Sequence, residues 1–61
     1  MIKFVQRQVY QMQEFTDQNG ISYRTTNGLH WEERMDESWE SVYRDEELTA
    51  AYNRFQSEAN I

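Results

Sequence analysis

Asn19-Gly20-Ile21-Ser22-Tyr23-Arg24-Thr25-Thr26-Asn27-Gly28 decides how this 61-residue chain is read. Asn-Gly supplies the positive backbone angles that tight turns need. Two such pairs stand eight residues apart. Between them, Ile21 and Tyr23 alternate with Ser22 and Arg24, the pattern of a half-buried strand. A short strand between two reversals is the mark of an antiparallel meander.

Working upstream, Thr16 to Gly20 reads as the first turn and residues 2–15 as the strand that enters it. Two periodicities compete there. Alternation puts Ile2, Phe4, Tyr10 and Met12 on one face and Val5, Val9 and Phe15 on the other, with polar residues among both. Helical spacing instead aligns Ile2, Val5, Val9 and Met12. The strand reading is favoured because Val, Tyr and Phe suit strands, no N-cap precedes Ile2, and a hairpin follows. A bulge near Arg7 would explain why neither face is pure.

Downstream, Leu29, Trp31 and Met35 alternate with His30, Glu32 and Arg34, and Asp36-Glu37-Ser38 is polar enough to turn. Trp39 to Tyr43 then reads as a short strand. The repeated Trp31-Glu32 and Trp39-Glu40 suit neighbouring strands, where cross-strand aromatic pairs contribute about 0.2–1 kcal/mol. Asp45 is placed to cap a helix by accepting from free amides of the first turn, and Glu46 and Glu47 favour the positive end of its dipole. Leu48, Ala51, Tyr52, Phe55 and Ala59 form one apolar stripe. A helix this short is not stable alone in water, so the stripe must dock. The expectation is a single α+β domain over 1–61. Its three- or four-stranded antiparallel meander (about 2–15, 21–26, 29–35, 39–43) carries one C-terminal helix (about 46–59) packed on one face.

A chain of this length buries only about 60% of the surface its unfolded form exposes, and without cysteine it has no disulfide or thiolate metal site. The apolar fraction is 38%, but nine aromatics can supply a core; each buries roughly 150–250 Å². No apolar run approaches the roughly 20 residues that span a bilayer. MIKFVQRQVY has no h-region and does not read as a signal peptide. The expectation is a soluble cytoplasmic protein.

Charge is distributed unevenly. Residues 1–30 carry a net +1 and residues 31–61 a net −6. Trp31 to Glu47, WEERMDESWESVYRDEE, holds eight of the eleven carboxylates against Arg34 and Arg44, with both tryptophans and Tyr43 among them. Nucleic acid and anionic membranes call for the opposite sign, so the electrostatic complement is a basic protein surface. The residues expected to bind it are Glu32, Glu33, Asp36, Glu37 and Glu40 with Trp31, Trp39 and Tyr43 as anchors.

Catalytic and metal readings fare less well. His30 is the sole histidine, and Ser22, Ser38, Ser41 and Ser57 lack the glycine-flanked setting of a nucleophile. The expectation is a non-enzymatic protein without a cofactor. Asp36, Ser38, Glu40, Val42, Arg44 and Glu47 fall into a calcium-loop frame, but Ser41 stands where the sharp turn wants glycine and Arg44 is a cation. A calcium-dependent module is therefore a lesser alternative. The main alternative is a structural module that self-associates through an open sheet face or edge, with the acids serving solubility.

The run WEERMDESWESVYRDEELTAAY, with its repeated Trp-Glu and acidic helix start, resembles short uncharacterised proteins encoded by bacteriophages. The resemblance covers about the last half of the chain and transfers no catalytic or binding residue. It implies a phage origin and, by analogy with small acidic phage proteins, an inhibitor of a host factor that imitates the charge of nucleic acid.

Overall fold

The structure, a computed structural model, describes residues 1–9 and 13–59. It contains five strands, β1 (Phe4–Val9), β2 (Gln13–Asp17), β3 (Ser22–Thr25), β4 (Glu32–Met35) and β5 (Ser38–Ser41), followed by one helix, α1 (Asp45–Ala59). The strands form one antiparallel sheet in the order β1-β2-β3-β4-β5. The α+β class, the meander and the C-terminal helix agree with the sequence. The strand number does not: five replaces three or four.

The extra strand comes from the segment expected as one strand over 2–15. It divides into β1 and β2, antiparallel neighbours joined through residues 10–12. The expected placements of Tyr10 and Met12, and of the Ala59 side chain, lie outside the described residues. The later elements also shift. The third expected strand, 29–35, begins only at Glu32, the expected 39–43 strand becomes Ser38–Ser41, and the helix starts at Asp45.

A bulge is present, at Val5 rather than beside Arg7. Phe4 pairs with Asp17 and Gln6 with Thr16, so Val5 is the extra residue. An uninterrupted strand would send Phe4 and Arg7 to opposite faces. The bulge returns both to the helix side, where Phe4 stacks on Phe15 with ring centroids 4.8 Å apart and the Arg7 guanidinium lies 5.7 Å from the Phe15 ring centre.

The first Asn-Gly builds a looser loop than the tightest hairpin type. Only Gly20 takes a positive φ, 84°, while Asn19 does not. The Gly20 amide donates to the Asp17 carbonyl at 3.1 Å, and the Asp17 amide donates to Ile21 O at 2.9 Å. This is a three-residue hairpin connection ending in a left-handed glycine. Asp17 is buried, yet its carboxylate is satisfied: Oδ1 accepts from the Asn19 and Ile21 amides, each at 2.9 Å.

The second Asn-Gly does not join two strands directly, since β4 starts four residues after Gly28. It makes a pinned loop. Asn27 Oδ1 accepts from the Leu29 and His30 amides at 2.8 and 3.0 Å. The Gly28 amide donates to Thr25 Oγ1 at 2.9 Å. Gly28 lies against the helix, and a Cβ built on it would sit 3.1 Å from the Tyr52 ring. Thr49 Oγ1 bridges loop and helix, accepting from the Trp31 indole at 3.1 Å and donating to Gly28 O at 3.0 Å.

The core consists of Phe4, Phe15, Tyr23, Trp31, Leu48 and Ala51, with Ile2, Val42, Tyr52 and Phe55 packed around it. Tyr52 and Phe55 meet the Phe15 ring edge-on at 5.4 and 5.6 Å. Burying a side chain of this kind stabilises by roughly 1.5–3 kcal/mol, and each aromatic pair adds about 0.5–1.5 kcal/mol. The Arg54 guanidinium also donates to the Ile2 carbonyl at 2.7 Å, tying α1 to the segment before β1. No helix among the described residues is long and apolar enough to cross a membrane.

Candidate interaction surface

Strand register sorts the acidic segment by face. Arg7, Phe15, Tyr23, Glu33 and Glu40 lie side by side in one row across the sheet, and Gln8, Glu14, Arg24, Glu32 and Ser41 in the next. The first row faces α1 and the second faces away, since neighbouring rows point to opposite sides.

On the open face, Arg24 joins two of the residues singled out in the sequence. Its Nε donates to Glu32 Oε1 at 2.7 Å, and its guanidinium lies over the Trp39 ring, 4.5 Å from the centre. Stacking of this kind contributes about 0.5–1 kcal/mol at exposed sites. Trp39 is therefore half-buried under an arginine, with exposed Arg34 as its cross-strand neighbour. The sequence reading missed this cationic contribution. Its signal was the alternation of Glu14, Arg24 and Glu32, which becomes visible only once the strands are registered.

On the helix side, Glu33 and Glu40 are directly opposed. Like charges so placed repel; Arg44 relieves them, its Nη2 donating to Glu33 Oε1 at 3.2 Å. Burial first, and then the negative charges of Glu33 and Asp17, raise the phenol of neighbouring Tyr23 above its usual range, with Arg44 opposing.

Asp36 and Glu37 form the tip of the β4–β5 hairpin, exposed, with Asp36 in the left-handed region at φ 57°. Aspartate tolerates that region better than most residues. Asp36, Glu37 and Glu40, like Glu46 and Glu47 on the first turn of α1, make no salt bridge among the described residues.

Two expected placements change. Trp31, taken as an anchor, is 2% exposed and sealed in the core; only Trp39 and the fully exposed Tyr43 remain reachable. Asp45 does not cap the first turn. The Leu48 amide bonds to Arg44 O at 3.2 Å, which puts Arg44 at the cap position and Asp45 at the first helical residue. The Asp45 carboxylate instead accepts from the Trp31 amide at 3.1 Å, fastening the helix start to the entry of β4.

The calcium frame is dispersed over the hairpin tip, β5 and α1, and no three potential metal-ligating side chains gather among the described residues. His30 Nδ1 stands 3.6 Å from Asp45 Oδ2, too far for a hydrogen bond. A shallow groove of about 240 Å³ between the N-terminal segment and α1, lined by Ile2, Phe4, Arg54 and Phe55 among others, includes no residue of the acidic hairpin. No protein-family model, curated protein or solved structure matches the chain.

Proposed function

We propose that this is a non-enzymatic binding protein whose β4–β5 hairpin docks on a basic surface of a partner protein. The observation that carries the reading is the β4–β5 hairpin at the sheet edge, with Asp36 and Glu37 unpaired at its tip, Glu40 unpaired on its helix-facing side and the half-exposed Trp39 on its other side. Three unpaired carboxylates on one hairpin offer the negative charge that phosphates present to a nucleic-acid-binding protein, and Trp39 and Tyr43 supply flat contact area. Where the partner's surface normally holds DNA or RNA, docking is competitive inhibition. The resemblance to bacteriophage proteins fits that role. Glu32 and Glu33 point to opposite faces of the same hairpin and are already neutralised in part by Arg24 and Arg44.

Affinity capture from the native host lysate at low salt tests this, with Asp36→Asn/Glu37→Gln/Glu40→Gln as control. Retention of a basic, nucleic-acid-binding protein by the parent and its loss by the triple variant is the expected outcome. Binding that is unchanged by salt or by the triple substitution refutes it, because exposed charges beyond roughly 10 Å are screened at 0.1 M salt.

One observation favours self-association as a second reading. Among the described residues β1 is an edge strand, with Val5 and Val9 exposed and Lys3 and Arg7 on or beside it, while the opposite edge strand β5 carries Glu40. Unpaired edges template further strand pairing, and these two are of opposite charge. Light scattering across a concentration series distinguishes the readings: growth in mass that salt abolishes supports edge-to-edge assembly.

A further inference from the structure

The chain holds the same reactive dipeptide twice, in two different physical states. Asparagine followed by glycine is prone to spontaneous cyclisation, because glycine offers no side chain to hinder attack by its own amide nitrogen. We propose that Asn19 is a site of spontaneous covalent ageing in the folded protein, and that Asn27 is protected from the same reaction by the fold.

The step balances with water alone. The Gly20 amide gives up its proton to solvent base, and its nitrogen bonds to Cγ of Asn19. The Cγ–Nδ2 bond breaks and ammonia leaves with a proton from solvent. One water then opens the five-membered imide at either carbonyl. The product at position 19 is aspartate, or isoaspartate with the main chain rerouted through the side chain. Nothing is oxidised or reduced.

Reaction at either site requires the glycine amide to be freed and the asparagine side chain to swing over it. At Asn19 less opposes this: its own amide and that of Ile21 are tied to Asp17 Oδ1 at 2.9 Å, but its side chain accepts no hydrogen bond among the described residues. The residue is exposed, and a Cβ at Gly20 would meet nothing within 4 Å. The one bond to be broken at the nucleophile is the Gly20 amide to Asp17 O at 3.1 Å, in an exposed turn. At Asn27 both reactants are held. The side-chain oxygen accepts from the Leu29 and His30 amides. The Gly28 amide is buried on Thr25 Oγ1, and that hydroxyl is itself fixed by donating to His30 O at 2.7 Å. Gly28 is also clamped from above by the Thr49 hydroxyl and the Tyr52 ring. Releasing Asn27 means parting the loop from α1.

Loop tips open with almost no free-energy cost, whereas elements joined to the core open only near the limit of global unfolding. Asn19 therefore reacts at least about tenfold faster than Asn27 in the folded protein, with the two converging once the chain is unfolded. The added carboxylate would stand beside buried Asp17, and isoaspartate would lengthen the loop that sets the Phe15–Tyr23 register.

The test incubates the full chain in mildly alkaline buffer, with and without denaturant. Peptide mapping by mass spectrometry follows the gain of one mass unit at each site, and enzymatic methylation detects isoaspartate. Expected are early modification at Asn19 alone in the folded sample, comparable modification at both sites in denaturant, and loss of the early product in Asn19→Ser. A second variant, Thr25→Val, removes the hydroxyl that holds the Gly28 amide and should speed reaction at Asn27; if it unfolds, the denaturant comparison still decides. Equal folded-state rates at the two sites, a faster Asn27, or an Asn19 that reacts only in denaturant would each overturn the proposal.

Discussion

The β2–β3 and β4–β5 hairpins use strands of similar length, yet they occupy the same sheet row with opposite chemistry. Phe15 and Tyr23 from the first stand beside Glu33 and Glu40 from the second, all on the side facing α1. Both aromatics are almost completely buried; Glu33 is partly buried and Glu40 exposed. Full burial ends between Tyr23 and Glu33, and the residue type changes there. One half of the sheet is thus committed to stability, and the other is free to carry a field of charge.

The largest expected effect contrasts the two ends of that row. Phe15→Ala should lose about 3–5 kcal/mol, much of the roughly 3–9 kcal/mol expected for a domain of this size. Glu40→Gln should stay within about 0.5 kcal/mol of the parent. Urea unfolding measures both, and a similar loss at the two positions would dissolve the distinction.

Next comes the seam between the halves. Asp45→Ala leaves the Trp31 amide without its acceptor and should cost about 1–3 kcal/mol, with Asp45→Asn recovering part of it. A smaller, pH-dependent effect lies at Tyr23, whose phenol is raised above its ordinary 10.0 by burial and then by Glu33 and Asp17. Below the unfolded-state pKa, tyrosine is neutral in both states and gives stability no slope. Above it the unfolded chain ionises first, so stability falls as pH rises until the native phenol ionises too. Tyr23→Phe should flatten that alkaline decline while leaving the acidic half of the pH profile alone. The smallest effect is at the hairpin tip: Asp36→Gly relieves a left-handed aspartate and should change stability by no more than about 1 kcal/mol.

Much of this architecture was legible from local chemistry. The Asn-Gly pairs announced the reversals around β3, and the Leu48, Ala51, Tyr52 and Phe55 spacing announced the helix and its buried stripe. The division of residues 2–15 was not legible, because residues 10–12 contain no Gly, Asn, Asp or Pro to mark a break. Alternation likewise could not reveal the bulge at Val5, since one inserted residue exchanges inside for outside. For the candidate surface, the density of acids was plain, but their neutralisation was not. Glu32, Glu33 and Asp45 acquire partners 8, 11 and 14 residues away in sequence; the first follows from strand register and the other two from where the helix start meets β4. Trp31 and Trp39 share the local context Trp-Glu and differ in fate because Trp31 precedes β4 and turns beneath α1, whereas Trp39 sits within β5 and points to the other side.

The Arg54 to Ile2 link spans 52 residues, and it has a consequence for the order in which the molecule can be made. All five strands leave the ribosome before the helix does. Until α1 emerges, Phe4, Phe15, Tyr23 and Trp31 lack the Leu48 and Ala51 side chains that complete their core. Nascent chains in that condition are the ones that stick to each other. The acidic residues between Trp31 and Glu47 are translated just ahead of the apolar stripe of the helix, so the charges that keep unfinished chains apart precede the helix that closes the core.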